Sequence, residues 1–160
     1  MINRLIVALG LLSLSAHAQA NCADLRGSYE GCRLVGTSSE EFNFELSQGF
    51  KAGEPIYRAT GLRDGKQLTV PFLADAVSHP LRSDQNEILA PIPLDYIAVC
   101  DPTQVIVTVT STALANAAAE KFYVSKDEDG NLRIVNQSLL LGKVIGTREI
   151  TCKRSAAPIR

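Results

Sequence analysis

The strongest constraint in this chain is an alternation of apolar and polar residues with a period of two. In EFNFELS, Phe42, Phe44 and Leu46 alternate with Asn43 and Glu45. Because successive side chains of a β-strand point to opposite faces, this pattern predicts a strand with one buried and one solvated face. QLTVPFLA and QVIVTVTST repeat the pattern, with these residues on the apolar face: Leu68, Val70 and Phe72; Val105, Val107 and Val109.

Turn-forming residues separate these runs, in segments 51–55, 63–66 and 126–131. The last of them, KDEDGN, lies between two β-rich runs, KFYVS and NLRIV, and Gly130 and Asn131 are able to adopt positive φ. We therefore expect a hairpin there. A final strand is expected in KVIGTREITC, and Pro71, which lacks an amide donor, predicts an edge strand or a bulge.

Helical signals are weak. Only residues 112–122 have a helix-forming composition, which predicts a short helix or a loop between strands. Residues 87–96, with two prolines, are expected to form an extended connection. The chain is therefore predicted to be all-β, a single antiparallel β-barrel or β-sandwich of about seven or eight strands.

The N-terminus has the pattern of a secretory signal peptide, with one positive charge at Arg4, an apolar stretch over 5–14 and small residues up to Ala20. Cleavage after Ala18 or after Ala20 fits the small-x-small rule, and we favour the second. This predicts a signal peptide at 1–20 and a single all-β domain at 21–160, in a periplasm or outside the cell.

A lipid anchor is not expected, because Asn21 precedes Cys22 where lipoprotein signals carry a small residue. No other stretch is long and apolar enough to span a membrane.

Without Arg4, which lies in the predicted signal peptide, the chain has 15 basic and 17 acidic residues. Without a basic patch, nucleic acid and anionic membranes are not expected as partners.

The mature chain would contain four cysteines, Cys22, Cys32, Cys100 and Cys152. An even number in a small secreted protein predicts two disulfides. Three pairings are possible. If residues 27–34 form an extended strand, joining Cys22 to Cys32 requires a sharp reversal, so we lean towards pairings distant in sequence.

The sequence contains no assembled catalytic motif, and we expect a protein that is not an enzyme. His79 is the only histidine of the mature chain; Ser78 would face away from it in a strand, and Asp75 would be about 13 Å away along an extended chain. We therefore interpret His79 as a polar residue at a strand end.

No metal ion or other cofactor is expected either. Asp127, Asp129 and Asn131 resemble the start of a calcium loop, but Leu132 and Ser138 stand where glycine and glutamate are required. A pair of carboxylates in a cleft, about 5 to 9.5 Å apart, would point instead to a hydrolase. The acidic groups at 40–41, 84–87 and 127–129 are expected to be surface charges.

LRGSYEGC, at residues 25–32, resembles the opening of lipocalin-like barrels, in which a glycine followed by an aromatic residue begins the first strand. Gly27 and Tyr29 are the matching positions, with tyrosine where those families more often have tryptophan. The resemblance covers eight residues and implies an eight-stranded cup for a small apolar or amphipathic molecule. Phe42, Phe44, Phe72 and Val107 are candidates to face its interior.

Two non-enzymatic functions remain open. One is a secreted or periplasmic binding protein for an unknown small apolar ligand, supported if the interior contains a cavity of about 300 Å³ or more. The other is a protein-binding module, such as a hydrolase inhibitor, that uses an exposed loop stiffened by prolines, Pro91, Ile92 and Pro93. A filled interior together with an apolar patch on that loop would favour the second. The sequence does not indicate an oligomeric state.

Overall fold

The structure is a computed structural model that describes residues 22–37, 41–63, 65–85, 87, 89–114 and 117–156. The predicted signal peptide at 1–20 lies outside the described residues. No helix among those residues is long and apolar enough to cross a membrane.

The described residues form ten β-strands, and one 3₁₀ turn at Thr112–Leu114. The strands are β1 (Gly27–Leu34), β2 (Phe42–Lys51), β3 (Glu54–Arg63), β4 (Lys66–Leu73), β5 (Ser78–Pro80), β6 (Leu94–Cys100), β7 (Gln104–Ser111), β8 (Ala118–Lys126), β9 (Leu132–Leu140) and β10 (Lys143–Ser155).

All ten strands belong to one antiparallel sheet in the order β4-β3-β2-β1-β10-β9-β8-β7-β6-β5. The chain therefore contains two meanders, β1 to β4 and β5 to β10. Within the described part of the chain, the only ladder between them is that of β1 with β10, and it begins where Ser28 pairs with Ser155. The first and last strands are thus neighbours in the middle of the sheet.

A β-bulge in β1 aims two side chains into the core. Gly31 has φ 59°, a left-handed conformation that glycine adopts without strain, and the register with both neighbouring strands shifts at this point. Because of the extra residue, Tyr29 and Cys32 both point inward although they are three positions apart, and both are fully buried. The glycine at 27 also has a steric role, since a Cβ there would lie 3.2 Å from the Tyr29 hydroxyl oxygen.

Both disulfides are bonded to the second meander. One starts from the first meander and the other from the segment that precedes β1. Cys32 of β1 is bonded to Cys152 of β10, and Cys22 is bonded to Cys100 at the end of β6. The two predicted disulfides and the preference for distant pairings are confirmed. Such bonds are compatible with a periplasmic or extracellular location.

The two edge strands, β4 and β5, do not pair with each other, so the sheet is not closed by a continuous ladder. The edges nevertheless come close: Leu73 N of β4 donates to the Tyr96 hydroxyl of β6 at 3.0 Å, and Asp84 N donates to Thr69 O at 2.8 Å. Pro71 lies in β4, which confirms the predicted edge position, and β5 has only three residues. Short or proline-containing edges discourage pairing between chains.

The all-β antiparallel prediction is confirmed, but the structure differs from it in strand number and in closure. Ten strands are present rather than seven or eight, and the hydrogen-bonded ring of a barrel is not completed. The helix or loop expected at 112–122 is a single 3₁₀ turn followed by β8, which begins at Ala118. Alanine is a weak strand former in isolation, and here pairing on both sides decides its conformation.

The hairpin predicted at 126–131 is confirmed. Gly130 has φ 79°, whereas Asn131 does not adopt positive φ. Instead, the Asp127 carboxylate accepts hydrogen bonds from the amides of Asp129 and Asn131 at 3.0 and 2.8 Å, which fixes the turn.

The β9–β10 hairpin turns through Leu141 and Gly142, which have φ 49° and 77°. Two positive φ values in a two-residue loop characterise a type I′ turn, where asparagine is favoured and leucine is strained. Since Leu141 is 78 % exposed, replacing it removes little packing. We predict that Leu141→Asn raises the free energy of unfolding by roughly 1 kcal/mol in urea denaturation.

The control for that change is Leu140→Asn, which places the same residue one position earlier, within β9. It should give no gain, since Leu140 does not have positive φ. An equal gain from both variants would show that loss of exposed apolar surface, and not turn strain, is responsible.

A second prediction concerns acid stability at the turn between β6 and β7. Hydrogen bonds from Thr103 and Gln104 lower the pKa of Asp101 from 3.8 to about 2. Burial raises this pKa, but its effect is smaller. A carboxyl whose pKa falls on folding stabilises the native state above its unfolded pKa, and this contribution is lost as the pH drops towards the folded value. We expect Asp101→Asn to lower stability at neutral pH and to flatten its decline between pH 4 and pH 2. Chemical denaturation at a series of pH values measures this, and parallel curves for the two proteins would contradict it.

Candidate functional site

The concave face of the curled sheet lines a half-open cavity of about 430 Å³. Its lining comes from seven strands and from the segments that flank β1 and β6, and all but one of the lining residues are hydrophobic or aromatic. They are Leu25, Phe44, Leu46, Tyr57, Ala59, Phe72, Leu81, Leu94, Val105, Val107, Val109, Glu120, Phe122, Val124 and Ile134. Volume and lining are typical of sites for small apolar ligands.

One end of the cavity is closed by the segment that precedes β1. Ala23 and Leu25 are buried, and the Ala23 amide donates to Asp101 O at 2.8 Å. The disulfide between Cys22 and Cys100 fixes the same segment. This end of the interior is therefore sealed by the chain itself.

Two buried tyrosines tie this segment to the sheet. The Tyr57 hydroxyl donates to Ala23 O at 2.9 Å, and the Tyr29 hydroxyl donates to Leu25 O at 2.7 Å. Burial raises the pKa of each tyrosine to about 12, so both hydroxyls stay protonated donors at neutral pH.

Glu120 is the only charged residue among the described residues of the cavity wall, and it was not among the site residues predicted from the sequence. It lies on β8 between Val109 of β7 and Ser138 of β9. Its Oε2 atom accepts hydrogen bonds from Asn136 Nδ2 at 2.7 Å and from Ser138 Oγ at 3.1 Å. The alternation of Glu120, Phe122 and Val124 with polar neighbours was the signal that could have revealed it.

The four residues predicted to face the interior lie on the concave side of the sheet. Phe44, Phe72 and Val107 line the cavity. Phe42 does not belong to the lining and is 46 % exposed, but its ring stacks on Phe44 with centroids 6.1 Å apart. Phe42 is the first residue of β2, far from the segment that seals the cavity, so it lies close to the unsealed end of the cavity.

The proline-containing segment lies at that same end, just before β6. Pro91, Ile92 and Pro93 are exposed, and Ile92 is 42 % accessible. The neighbouring Leu94 lines the cavity, and Leu81 N donates to Leu94 O at 2.8 Å. The segment is thus positioned beside the cavity as well as on the surface.

The chain does not run extended from Asp75 to His79, so the separation of about 13 Å expected for an extended chain does not apply. The chain bends at Ala76, which has φ 60°, and brings His79 Nε2 to 2.9 Å from an Asp75 carboxylate oxygen. Burial raises the pKa of Asp75, but hydrogen bonds from the Val77 amide and from His79 outweigh it, so the net shift is downward. The His79 ring lies against Tyr96 with centroids 5.5 Å apart. The structure places no described serine or cysteine in hydrogen bond with this pair.

The acidic groups considered in the sequence are spread over the surface. Asp84 is 3.9 Å from Arg58, and Asp127 is used by its own turn. Glu40 lies outside the described residues. Within the described part of the chain, no group of three or more histidine, cysteine, aspartate or glutamate side chains is arranged to hold a metal ion.

A second depression, of about 740 Å³, lies along β1, β9 and β10. It is lined mainly by polar side chains, and two of them already form an ion pair, with Arg133 Nε 2.7 Å from Glu149 Oε1. Its polar, partly ion-paired lining does not suit an apolar ligand, in contrast to the apolar cavity.

Comparison with known proteins gives no assignment: no protein-family model matches the chain, and no curated protein matches its sequence significantly.

Proposed function

We propose that this protein is a non-enzymatic binding protein that holds a small apolar molecule inside the cup formed by its curled sheet. The observation that carries the proposal is the cavity of about 430 Å³ with a wall that is apolar except for Glu120. Water gains few hydrogen bonds in such a space, so an apolar occupant of matching size is favoured.

The sealed end of the cup supports this function. The sealed end gives the cup a rigid floor, held by a disulfide and by two tyrosine hydroxyls. A preformed site loses little conformational entropy when it binds its ligand. The two disulfides also fit a protein that works in a periplasm or outside the cell.

The lipocalin-like resemblance of residues 25–32 agrees with a cup of this kind. In this proposal the sheet functions as a barrel, with the gap between β4 and β6 bridged by the Tyr96 hydroxyl and by the contact of its ring with Phe72, at 5.3 Å between centroids.

The alternative function, protein binding through Pro91, Ile92 and Pro93, is less favoured. It was expected to accompany a filled interior, and the interior contains a cavity. Exposure of Ile92 keeps this function as the second candidate. Failure of the apolar probe to bind in the following test would favour it.

The test uses a dye that fluoresces in apolar surroundings, N-phenyl-1-naphthylamine. We predict saturable binding to the wild-type protein and at least about tenfold weaker binding to Ala59→Phe, because the new ring occupies the cavity that Ala59 lines. Thermal denaturation establishes that the variant is folded.

The matched control is Ala119→Phe. Ala119 lies next to Glu120 in β8 and, by strand alternation, on the outer face. Its dye affinity should equal that of the wild-type protein. Unchanged affinity in Ala59→Phe would place the dye elsewhere and would contradict the proposal.

A further inference from the structure

Exposed apolar side chains are concentrated at the unsealed end of the cup, where β1 ends and β2 begins. Of the large hydrophobic residues that the described chain exposes, eight lie at this end, and the other four are divided between the sealed end and the outer face of β6. The eight, which we call the apolar rim, are Val35, Phe42, Leu62, Ile92 and four residues of the β9–β10 hairpin at 140–145. Such clusters mark contact with another protein or with a membrane.

The β9–β10 hairpin reaches beyond the end of β1. β10 is paired with β1 only from Ile150 onwards, and residues 141–148 are all exposed. Val144 pairs with Leu139 of β9, so by strand alternation it points to the face opposite to that of Leu140. Apolar side chains are therefore exposed on both faces of this hairpin. A fluid apolar medium covers both faces at once, whereas the flat surface of a protein covers only one.

The free edge of this hairpin is poorly suited to pairing with a second copy of the chain or with an extended peptide. A β-bulge interrupts β10 between Val144 and Gly146, and Lys143 begins the strand. Bulges and lysines are features by which edge strands avoid pairing with other chains. The hairpin therefore presents its apolar side chains and not its backbone to a partner.

The apolar rim is continuous with the wall of the half-open cavity. Phe42 stacks on Phe44, which lines the cavity, and Ile92 lies two residues before Leu94, which lines it too. An apolar molecule dissolves poorly in water, so it exchanges most readily where the mouth of its cavity meets an apolar phase. The position of the rim around such a mouth favours lipid over protein as its partner.

Two lysines lie beside the rim. Lys66 begins β4 and Lys143 begins β10; both are exposed, and no ion pair among the described residues involves either of them. A lysine in this position reaches lipid phosphates with its ammonium group while its apolar neighbours enter the lipid. Glu41, also exposed, precedes Phe42. The charge around the rim is therefore small, and we expect insertion of apolar side chains to dominate over attraction between charges.

We propose that the unsealed end of the cup docks on the surface of a lipid bilayer, with the apolar rim inserted among the head groups. In this position the mouth of the cavity faces the lipid. Insertion is shallow, because the edge of β10 beyond β1 has no ladder partner among the described residues and unpaired backbone groups are costly in hydrocarbon. Docking goes beyond the proposed binding function and does not require an occupied cavity.

Cosedimentation with vesicles of phosphatidylcholine, a lipid without net charge, tests the docking. We expect the folded wild-type protein to bind these vesicles at low and at high salt, because salt screens attraction between charges but not apolar insertion. The variant with both Leu141→Asn and Ile145→Asn should bind at least about tenfold more weakly, since it removes two exposed apolar side chains of the rim.

The matched control is Phe50→Asn. Phe50 is 65 % exposed, close to the 66 % of Ile145, but it lies beside the β2–β3 turn at the sealed end. Its removal should leave vesicle binding unchanged. A difference between the two variants therefore reports the position of the apolar side chain and not the loss of exposed apolar surface in general.

A fluorescent reporter establishes which end of the cup enters the lipid. The chain contains no tryptophan, so a single introduced tryptophan reports only on its own surroundings. On addition of vesicles, the emission of Leu141→Trp should shift to shorter wavelength and be quenched by brominated phosphatidylcholine. The emission of Phe50→Trp should do neither.

The wild-type protein decides the question even if a variant does not fold. Absence of binding to phosphatidylcholine, or binding that requires anionic lipid and disappears at high salt, would overturn the proposal. Equal binding by the rim variant and by Phe50→Asn would also overturn it. A wild-type dimer that ignores vesicles and that the rim variant dissociates in analytical ultracentrifugation would assign the rim to a second copy instead.

Ala59→Phe separates this proposal from the function of the cup. It fills the cavity and leaves the rim intact, so it should lose the dye and still bind vesicles like the wild-type protein. A wild-type protein that binds the dye but not vesicles keeps the cup and loses the docking. One that binds vesicles through the rim but not the dye keeps the docking and loses the cup.

Discussion

Pairing of the first strand with the last is the interaction on which the rest of the structure depends. Without the β1–β10 ladder, the chain would be two separate meanders of four and six strands. The contact joins residues far apart in sequence, so its formation carries a large loss of chain entropy. The buried bond between Cys32 and Cys152 lies in this ladder, and the bond between Cys22 and Cys100 ties the same two parts together. On the chain-entropy account, each contributes on the order of 4 kcal/mol by restricting the unfolded chain.

The interior follows from this connection. The bulge at Gly31 directs both Tyr29 and Cys32 inward, and Tyr29 then holds the preceding segment across the end of the cup through Leu25. Tyr57 reinforces it from the other side through Ala23. The wall above this floor is apolar, and the Glu120 side chain that contributes to it is held by hydrogen bonds from Asn136 and Ser138.

Alternation and turn residues were sufficient to predict the all-β class, the hairpin at 126–131 and the edge position of Pro71. They did not predict β3, whose Gly61 and Arg58 interrupt a simple pattern, or the first part of β8, whose alanines are poor strand formers alone. Whether the edge strands β4 and β5 pair with each other is a tertiary property that no local pattern encodes, and in the structure they do not. Phe44, Phe72 and Val107 were accessible to sequence reasoning because they alternate cleanly, whereas Glu120 could be found only through the alternation of Phe122 and Val124 beside it, since a charge interrupts the apolar pattern used to find strands. The contact of Asp75 with His79 depends on a left-handed residue, Ala76, that composition does not reveal.

Native mass spectrometry of the protein purified from its own host tests the central claim most directly. The account predicts a native mass that exceeds the denatured mass by one small, discrete increment, and the increment should be lost when Ala59→Phe is purified in the same way. The denatured mass should also lack four hydrogens relative to the reduced chain, one pair for each disulfide. An increment that persists in Ala59→Phe, or a wild-type protein that remains empty when apolar ligands of this size are added in excess, would contradict the account.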